Sequence, residues 1–162
     1  WLEGLACHPI DSGEQLQQAL RQLQPEADAI AMAAAVADHR LAQPFDHKPD
    51  KAALADALQG GWQAVPDLLV ELVQRRPAGQ RILGFAAHSG DVLPQARAKF
   101  ARKGCDLLFA NPIDRAGAGF GSLSNEGWLL GPGDAVSRLQ PMGKFALAHQ
   151  LLSALRPPFR GW

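Results

Sequence analysis

Three apolar runs, each closed by a polar residue and separated by helix-length segments, constrain this 162-residue chain more than any other feature. They are Ala29 to Ala37 (AIAMAAAVA), Arg81 to Ala87 (RILGFAA) and Cys105 to Ala110 (CDLLFA). A strand that is apolar at nearly every position has no face to give to water, so it belongs in a parallel sheet covered by helices on both sides. Helical segments alternate with these runs. Asp11-Ser12 caps a helix carrying Leu16, Leu20 and Leu23, which ends before Pro25, and Asp67 caps another carrying Leu68, Leu69, Leu72 and Val73, stopped by Arg75-Arg76-Pro77. Val92 to Lys103 is a third, closed by Gly104, and Lys144 to Leu155 a fourth. Shorter strands are expected at Leu5 to Pro9, Gly127 to Leu130 and Ser137 to Pro141. The alternation predicts an α/β fold, a doubly wound, mainly parallel Rossmann-like sheet.

A sheet of that kind binds ligands beyond the carboxyl ends of its strands. That places three polar exits along one crevice: Asp38, His88-Ser89 and Asn111-Pro112. At 47% apolar composition the chain can bury one core, and one domain is expected over residues 1–155, with 156–162 a loose tail. Sixteen basic residues balance sixteen acidic ones, so no surplus of cations argues for nucleic acid or a membrane surface, and a small discrete ligand is the better fit. No apolar stretch approaches the roughly 20 residues of a membrane-spanning helix. Cys7 and Cys105 stand in apolar runs without metal or redox spacing and are expected to be buried free thiols in a reducing cytoplasm. The chain begins at Trp1 with no signal-peptide pattern, and is expected to be a cut piece of a longer domain.

From Leu41 to Pro66, prolines, glycines and charges break every period, and a flap or arm is expected over about 41–64. Gly117, Gly119 and Gly121 in AGAGFGS could let backbone approach a phosphate, although a strand follows rather than a helix, and a turn-rich loop explains them equally. Lys99 and Lys103, four apart on one helix, share a face and could grip neighbouring phosphate oxygens or simply face solvent. Asp38 could take a hydrogen bond from a base or ribose, ligate magnesium through water, or cap a turn. Lys48 is a candidate charge stabiliser for a transferring phosphoryl group. The histidines lack ligand spacing, Ser89 and Ser122 lack a nucleophile elbow, and no G-x-G-x-x-G follows the first strand, which disfavours a metal site, a hydrolase and an NAD(P) oxidoreductase.

In order and spacing, AMAAAVADHR (31–40), VPDLL (65–69), ILGFAAHSG (82–90), ARAKFARKGCDLLFANPI (96–113), GAGFGSLSNEGWLL (117–130) and LQPMGKFALAHQLL (139–152) resemble the blocks of the phosphopantothenate-cysteine ligase family. The resemblance implies coenzyme A synthesis: the carboxylate of 4'-phosphopantothenate attacks the α-phosphate of a nucleoside triphosphate, usually CTP with Mg2+ in bacteria, with ATP the alternative, and cysteine then displaces the nucleotide. Position by position it implies nucleotide contacts at Met32, Ala33, Ala34, Asp38, Pro66, Asp67, Leu68, Leu69, Phe85, Lys99 and Lys103. It implies a mobile lysine at Lys48 that is both catalytic and nucleotide-contacting, and substrate contacts at Asn111, Gly117, Gly119 and Phe120. A cytoplasmic homodimer is implied, with a flavin-dependent decarboxylase domain often fused upstream.

The departures are specific. His39 stands for tyrosine, the family's KIKK is reduced to Lys48-Pro49-Asp50-Lys51, Val65 replaces asparagine, His88 glutamate and Pro112 aspartate. The glycine-rich GGTxEPID turn and NxSSGKMG loop of the family do not occur in these 162 residues. Nucleotide binding without amide formation by this chain alone is therefore expected, and a degenerate homologue that binds nucleotide or a partner without catalysis is the competing reading.

Overall fold

The computed structural model describes residues 4–114 and 121–156. In chain order the elements are α1 (Gly13–Leu23), a 3-10 turn (Gln24–Glu26), β1 (Ala29–Met32), β2 (His39–Leu41), α2 (Lys51–Gly60), β3 (Trp62–Ala64), α3 (Leu68–Gln74), β4 (Arg81–His88), α4 (Val92–Lys103), β5 (Leu107–Pro112), β6 (Ser124–Leu130), β7 (Val136–Gly143) and α5 (Lys144–Leu155). The main sheet runs β1-β4-β5-β6-β7, and β2 with β3 forms a separate two-stranded ribbon.

The pairings β1–β4 and β4–β5 are parallel, as the apolar runs require, while β5–β6 and β6–β7 are antiparallel. Returning parallel to β5 would take a crossover of a dozen or more residues, usually through a helix, and no helix separates β5 from β6 among the described residues. The last turn is tighter still, with Gly133 and Asp134 both at positive φ (64° and 60°). The sheet is thus Rossmann-like in its parallel part and carries an antiparallel edge.

Alternation along β4 and β5 divides the core between two faces. Ile82, Ala86, Leu108 and Ala110 pack with Leu68, Leu69 and Leu72 of α3, Val92 and Ala96 of α4, and more peripherally Leu16 and Leu20 of α1. Leu83, Leu107 and Phe109 pack on the other face with Leu147, Leu151 and Leu155, one stripe of α5. Each of those three α5 leucines removes about 1.5–3 kcal/mol of side chain from water, so this helix is held by its inner stripe. Gly84 sets the approach of α3: a Cβ there would lie 2.7 Å from Leu69 Cδ2.

Polar anchors fix the helix ends. Ser12 accepts from Gln15 N–H at 3.2 Å and caps α1. Gln24 and Gln80, both buried, bond to each other at 3.0 Å, and Gln24 Nε2 also donates to the Leu72 carbonyl at 2.7 Å, tying the 3-10 turn to α3. The Asp106 carboxylate accepts from Ile82 N–H at 2.8 Å and Arg76 at 2.7 Å, so β4, β5 and the end of α3 meet at one charge.

Several expectations change. The segment 5–9 forms no strand, and Cys7 is exposed while Cys105 is buried. The apolar run from Ala29 leaves the ladder after Met32, because Ala33 N–H turns back to the Ala31 carbonyl at 3.1 Å. The stretch expected to be a flap contains α2 and β3: Asp50 Oδ1 accepts from Ala53 N–H at 2.8 Å and starts the helix, and Gly61 ends it. No helix is long and apolar enough to cross a membrane among the described residues. Of the expected tail, residues 157–162 lie outside the described residues.

Candidate functional site

Beyond the carboxyl ends of β1, β4 and β5 lies a cleft of roughly 630 Å³. One wall is the chain from Met32 to Asp38, where the alanines 33, 34, 35 and 37 present little more than backbone. The facing wall is Val65 to Leu69 at the start of α3. The two are joined: Val65 N–H donates to the Asp38 carbonyl at 2.9 Å, directly below the β2–β3 ribbon. Phe85, Ala86 and Ala87 at the end of β4 form the floor, and Phe85 stands edge-on to Phe109 at 6.1 Å between ring centres.

Lys99 and Lys103 enter from α4. Lys103 is committed to Asp67, whose carboxylate also accepts from Val70 N–H at 3.3 Å and so caps α3. Burial opposes ionisation of Asp67, yet the Lys103 ammonium and the Val70 N–H together hold its carboxyl below the ordinary range. Lys99 has no hydrogen bond or ion pair among the described residues. Its ammonium is pushed below the ordinary lysine value first by burial and then by Lys103 and Arg102, with Asp67 and Asp38 opposing. His88 is likewise lowered by burial and by Lys99, and its Nε2 is buried without a partner among the described residues, both of which favour the neutral imidazole.

The far rim is built from Asn111 and Ile113 at the end of β5, Gly121, Asn125 at the start of β6, and Lys144 at the start of α5. An aromatic and aliphatic floor, a wall of exposed peptide groups and a cationic rim suit a ligand with a flat ring at one end and phosphates at the other. Among the described residues no group of three or more His, Cys, Asp or Glu could hold a metal ion.

Of the described residues that the resemblance singles out, the cleft gathers all but Lys48: Met32, Ala33, Ala34, Asp38, Pro66, Asp67, Leu68, Leu69, Phe85, Lys99, Lys103 and Asn111. Lys48 does not line it; the side chain is exposed in the segment between β2 and α2, where Asp50 has become a helix cap. Gly117, Gly119 and Phe120 lie outside the described residues. Sequence reasoning missed Val65, Asn125 and Lys144 as lining residues. The strand-exit rule overlooks Asn125 and Lys144 because they stand where an antiparallel strand begins and another ends, although the blocks that contain them, 117–130 and 139–152, already carry the resemblance.

A family model described as the DNA/pantothenate metabolism flavoprotein C-terminal domain matches residues 2–157. The coenzyme A biosynthesis bifunctional protein CoaBC of Mycobacterium tuberculosis is 38% identical over 163 residues, covering 90% of this chain and 37% of its own length. The CoaBC of Bacillus subtilis is 30% identical over 147 residues, covering 91% of this chain and 36% of its own. The chain thus spans little more than a third of these curated relatives. Among solved structures, the C-terminal domain of a CoaBC superposes with a TM-score of 0.66 at 24% identity, covering 90% of this chain and 63% of that one. A histidine-to-alanine mutant of Cab2 in complex with phosphopantothenate-cysteine superposes at 0.61 and 15% identity, covering 90% and 51%. The fold is shared with both, and on the match to residues 2–157 this chain belongs to the family of DNA/pantothenate metabolism flavoprotein C-terminal domains.

Proposed function

We propose that the chain is the nucleotide-binding part of a phosphopantothenate-cysteine ligase acting in coenzyme A synthesis. The observation that carries this is the convergence, in one cleft at the sheet's carboxyl end, of residues drawn from β1, α3, β4, α4 and β5. In the reaction the 4'-phosphopantothenate carboxylate attacks the α-phosphate of CTP and pyrophosphate leaves; the amine of cysteine then attacks the acyl carbon, loses a proton, and CMP leaves as the amide forms. The printed name of the CoaBC relatives and the Cab2 complex with phosphopantothenate-cysteine support this reading.

In that reaction Phe85, Met32 and Leu69 pack against the base, and the peptide groups of Ala33 and Ala34 read its edge. Asp38, without a side-chain hydrogen bond or ion pair among the described residues, would accept from the ribose or from water on a Mg2+ that arrives with the phosphates, since a lone carboxylate fits a metal shared with its substrate better than a protein-built cage. Lys99 draws the phosphates in, and the Lys103–Asp67 pair holds the start of α3 against α4. Lys48, outside the cleft, acts after binding by neutralising charge on the acyl-nucleotide or the departing pyrophosphate. The natural protein is a cytoplasmic homodimer; the relatives' name, bifunctional, supports a second catalytic domain in the same chain, which the resemblance makes the flavin-dependent decarboxylase.

Isothermal calorimetry with CTP, ATP and NADPH tests the reading. CTP is expected to bind more tightly than ATP, NADPH not at all, and the 162-residue chain to form no amide when given 4'-phosphopantothenate and cysteine. Binding of NADPH with no binding of CTP would overturn the assignment. The position of Lys48 outside the cleft also favours a homologue that binds nucleotide without catalysis. Joining the chain to the glycine-rich and SSGKMG segments of the family decides: ligase activity of the joined protein rejects that alternative.

A further inference from the structure

We propose that Lys144, with Asn125, forms a second phosphoryl-binding pole of the cleft, separate from the one at Lys99; the inference rests on the nucleotide reading above. Lys99 reaches the cleft from α4 on one face of the sheet, whereas Lys144 comes from α5 on the opposite face. The charges that bear on Lys99 are those of Lys103, Arg102, Asp67 and Asp38, and Lys144 is not among them. Among the described residues the lining lysines therefore fall at two poles, Lys99 with Lys103 at one and Lys144 at the other, and the lining acids, Asp38 and Asp67, stand with the first.

Lys144 is firmly placed. Its backbone N–H donates to the Leu123 carbonyl at 3.1 Å, and the preceding Gly143 pairs with Ser124 at the end of the β6–β7 ladder. Its ammonium has no hydrogen bond or ion pair among the described residues. Asn125 pairs with Met142 in the same ladder and its Oδ1 accepts from Glu126 N–H at 3.0 Å, while its Nδ2 has no hydrogen bond among the described residues. A cation and an amide donor at that end of the cleft, with no carboxylate there among the described lining residues, are matched by an anion with several acceptor oxygens, and a phosphoryl group is the one such anion common to both substrates. It can come from the distal phosphates of the nucleotide or from the phosphomonoester of the acyl substrate.

The test measures binding of CTP, CMP, pyrophosphate and 4'-phosphopantothenate by calorimetry to the wild-type chain, Lys144→Ala, Lys144→Arg and Asn125→Ala, with circular dichroism to check the fold. Lys144→Ala is expected to weaken at least one phosphate-rich probe roughly tenfold while CMP changes less than about twofold, and Lys144→Arg to restore most of the loss. Asn125→Ala is expected to lose less, in the same probes. A loss for CTP and pyrophosphate assigns the pole to the nucleotide; a loss for 4'-phosphopantothenate alone assigns it to the acyl substrate; both support the proposal. Equal losses for CTP and CMP, unchanged affinities in Lys144→Ala, or a wild-type chain that binds none of the phosphates overturn it. Failure of the nucleotide reading is distinguishable, because a chain that bound 4'-phosphopantothenate or pyrophosphate through Lys144 but no CTP would reject that reading and keep this one.

Discussion

The cleft and the arm that rises beside it are built on opposite principles. Among the described residues the cleft draws on seven elements, from β1 to α5, and each contribution is positioned by the ladder and by a core in which Ile82, Leu108 and Ala110 are fully enclosed. The arm, from His39 to Ala64, is one continuous stretch with no buried residue, held by its own ribbon, by the Asp50 cap, by an exposed ion pair from Arg40 to Glu14 and by the bond from Val65 to Asp38 at its base. A position fixed by non-local packing carries a side chain to a definite place; a position fixed by local bonds alone does not. The lysines show it: Lys99 is half-buried in the cleft, Lys48 is outside it.

The sharpest way to break this contrast is Lys99→Met. It is expected to weaken CTP binding by roughly ten- to a hundredfold, because one charge-assisted phosphate contact and the fixed cation that makes it are lost together. Calorimetry that found no loss would move the phosphates elsewhere.

Gly84→Ala probes the packing behind the same wall. The added methyl meets Leu69 at 2.7 Å, and unfolding in urea is expected to report a loss of about 1–3 kcal/mol. An unchanged midpoint would mean that α3 slides freely, and that the wall formed by Leu68 and Leu69 is not rigid.

A pH series sharpens the electrostatics. Lys99 is lowered in the folded chain, so between its folded value and the ordinary 10.5 the unfolded state binds more protons. The stability of the free chain is then expected to gain a contribution from this group as pH rises through that window. A bound phosphate favours the ammonium and reverses the sign: CTP affinity falls as pH climbs through the same window, and binding takes up protons, measurable by calorimetry in buffers of different ionisation enthalpy. In Lys99→Met this uptake should disappear. Lys48→Met is the smallest change: CTP affinity is expected to stay within about twofold, and a larger loss would bring the arm into the nucleotide site.

The legibility of the fold follows the same division. β4, α4 and the capped helices at Ser12 and Asp67 could be read from residues, because buried strands and helix caps leave local marks. The antiparallel edge could not, since direction depends on the connection after β5 and not on β6 itself. In the arm, Pro49, Gly60 and Gly61 looked like interruptions but are the boundaries of α2, and Asp50, three residues before the N–H it caps, was the available sign. The early end of β1 was hidden as well, because a run of alanines reads as strand whether or not it finds a partner.

That run has a consequence for how the site can be damaged. Ala33, Ala34, Ala35 and Ala37 offer almost no side chain to remove, so an alanine scan is silent there and a ligand held by their peptide groups survives most trimming of its neighbours. Such a surface is vulnerable to crowding alone. Variation that enlarges a residue at 33 or 34 takes up space beside those peptide groups, and the side chains of the alanines are better regarded as reserved emptiness than as contacts.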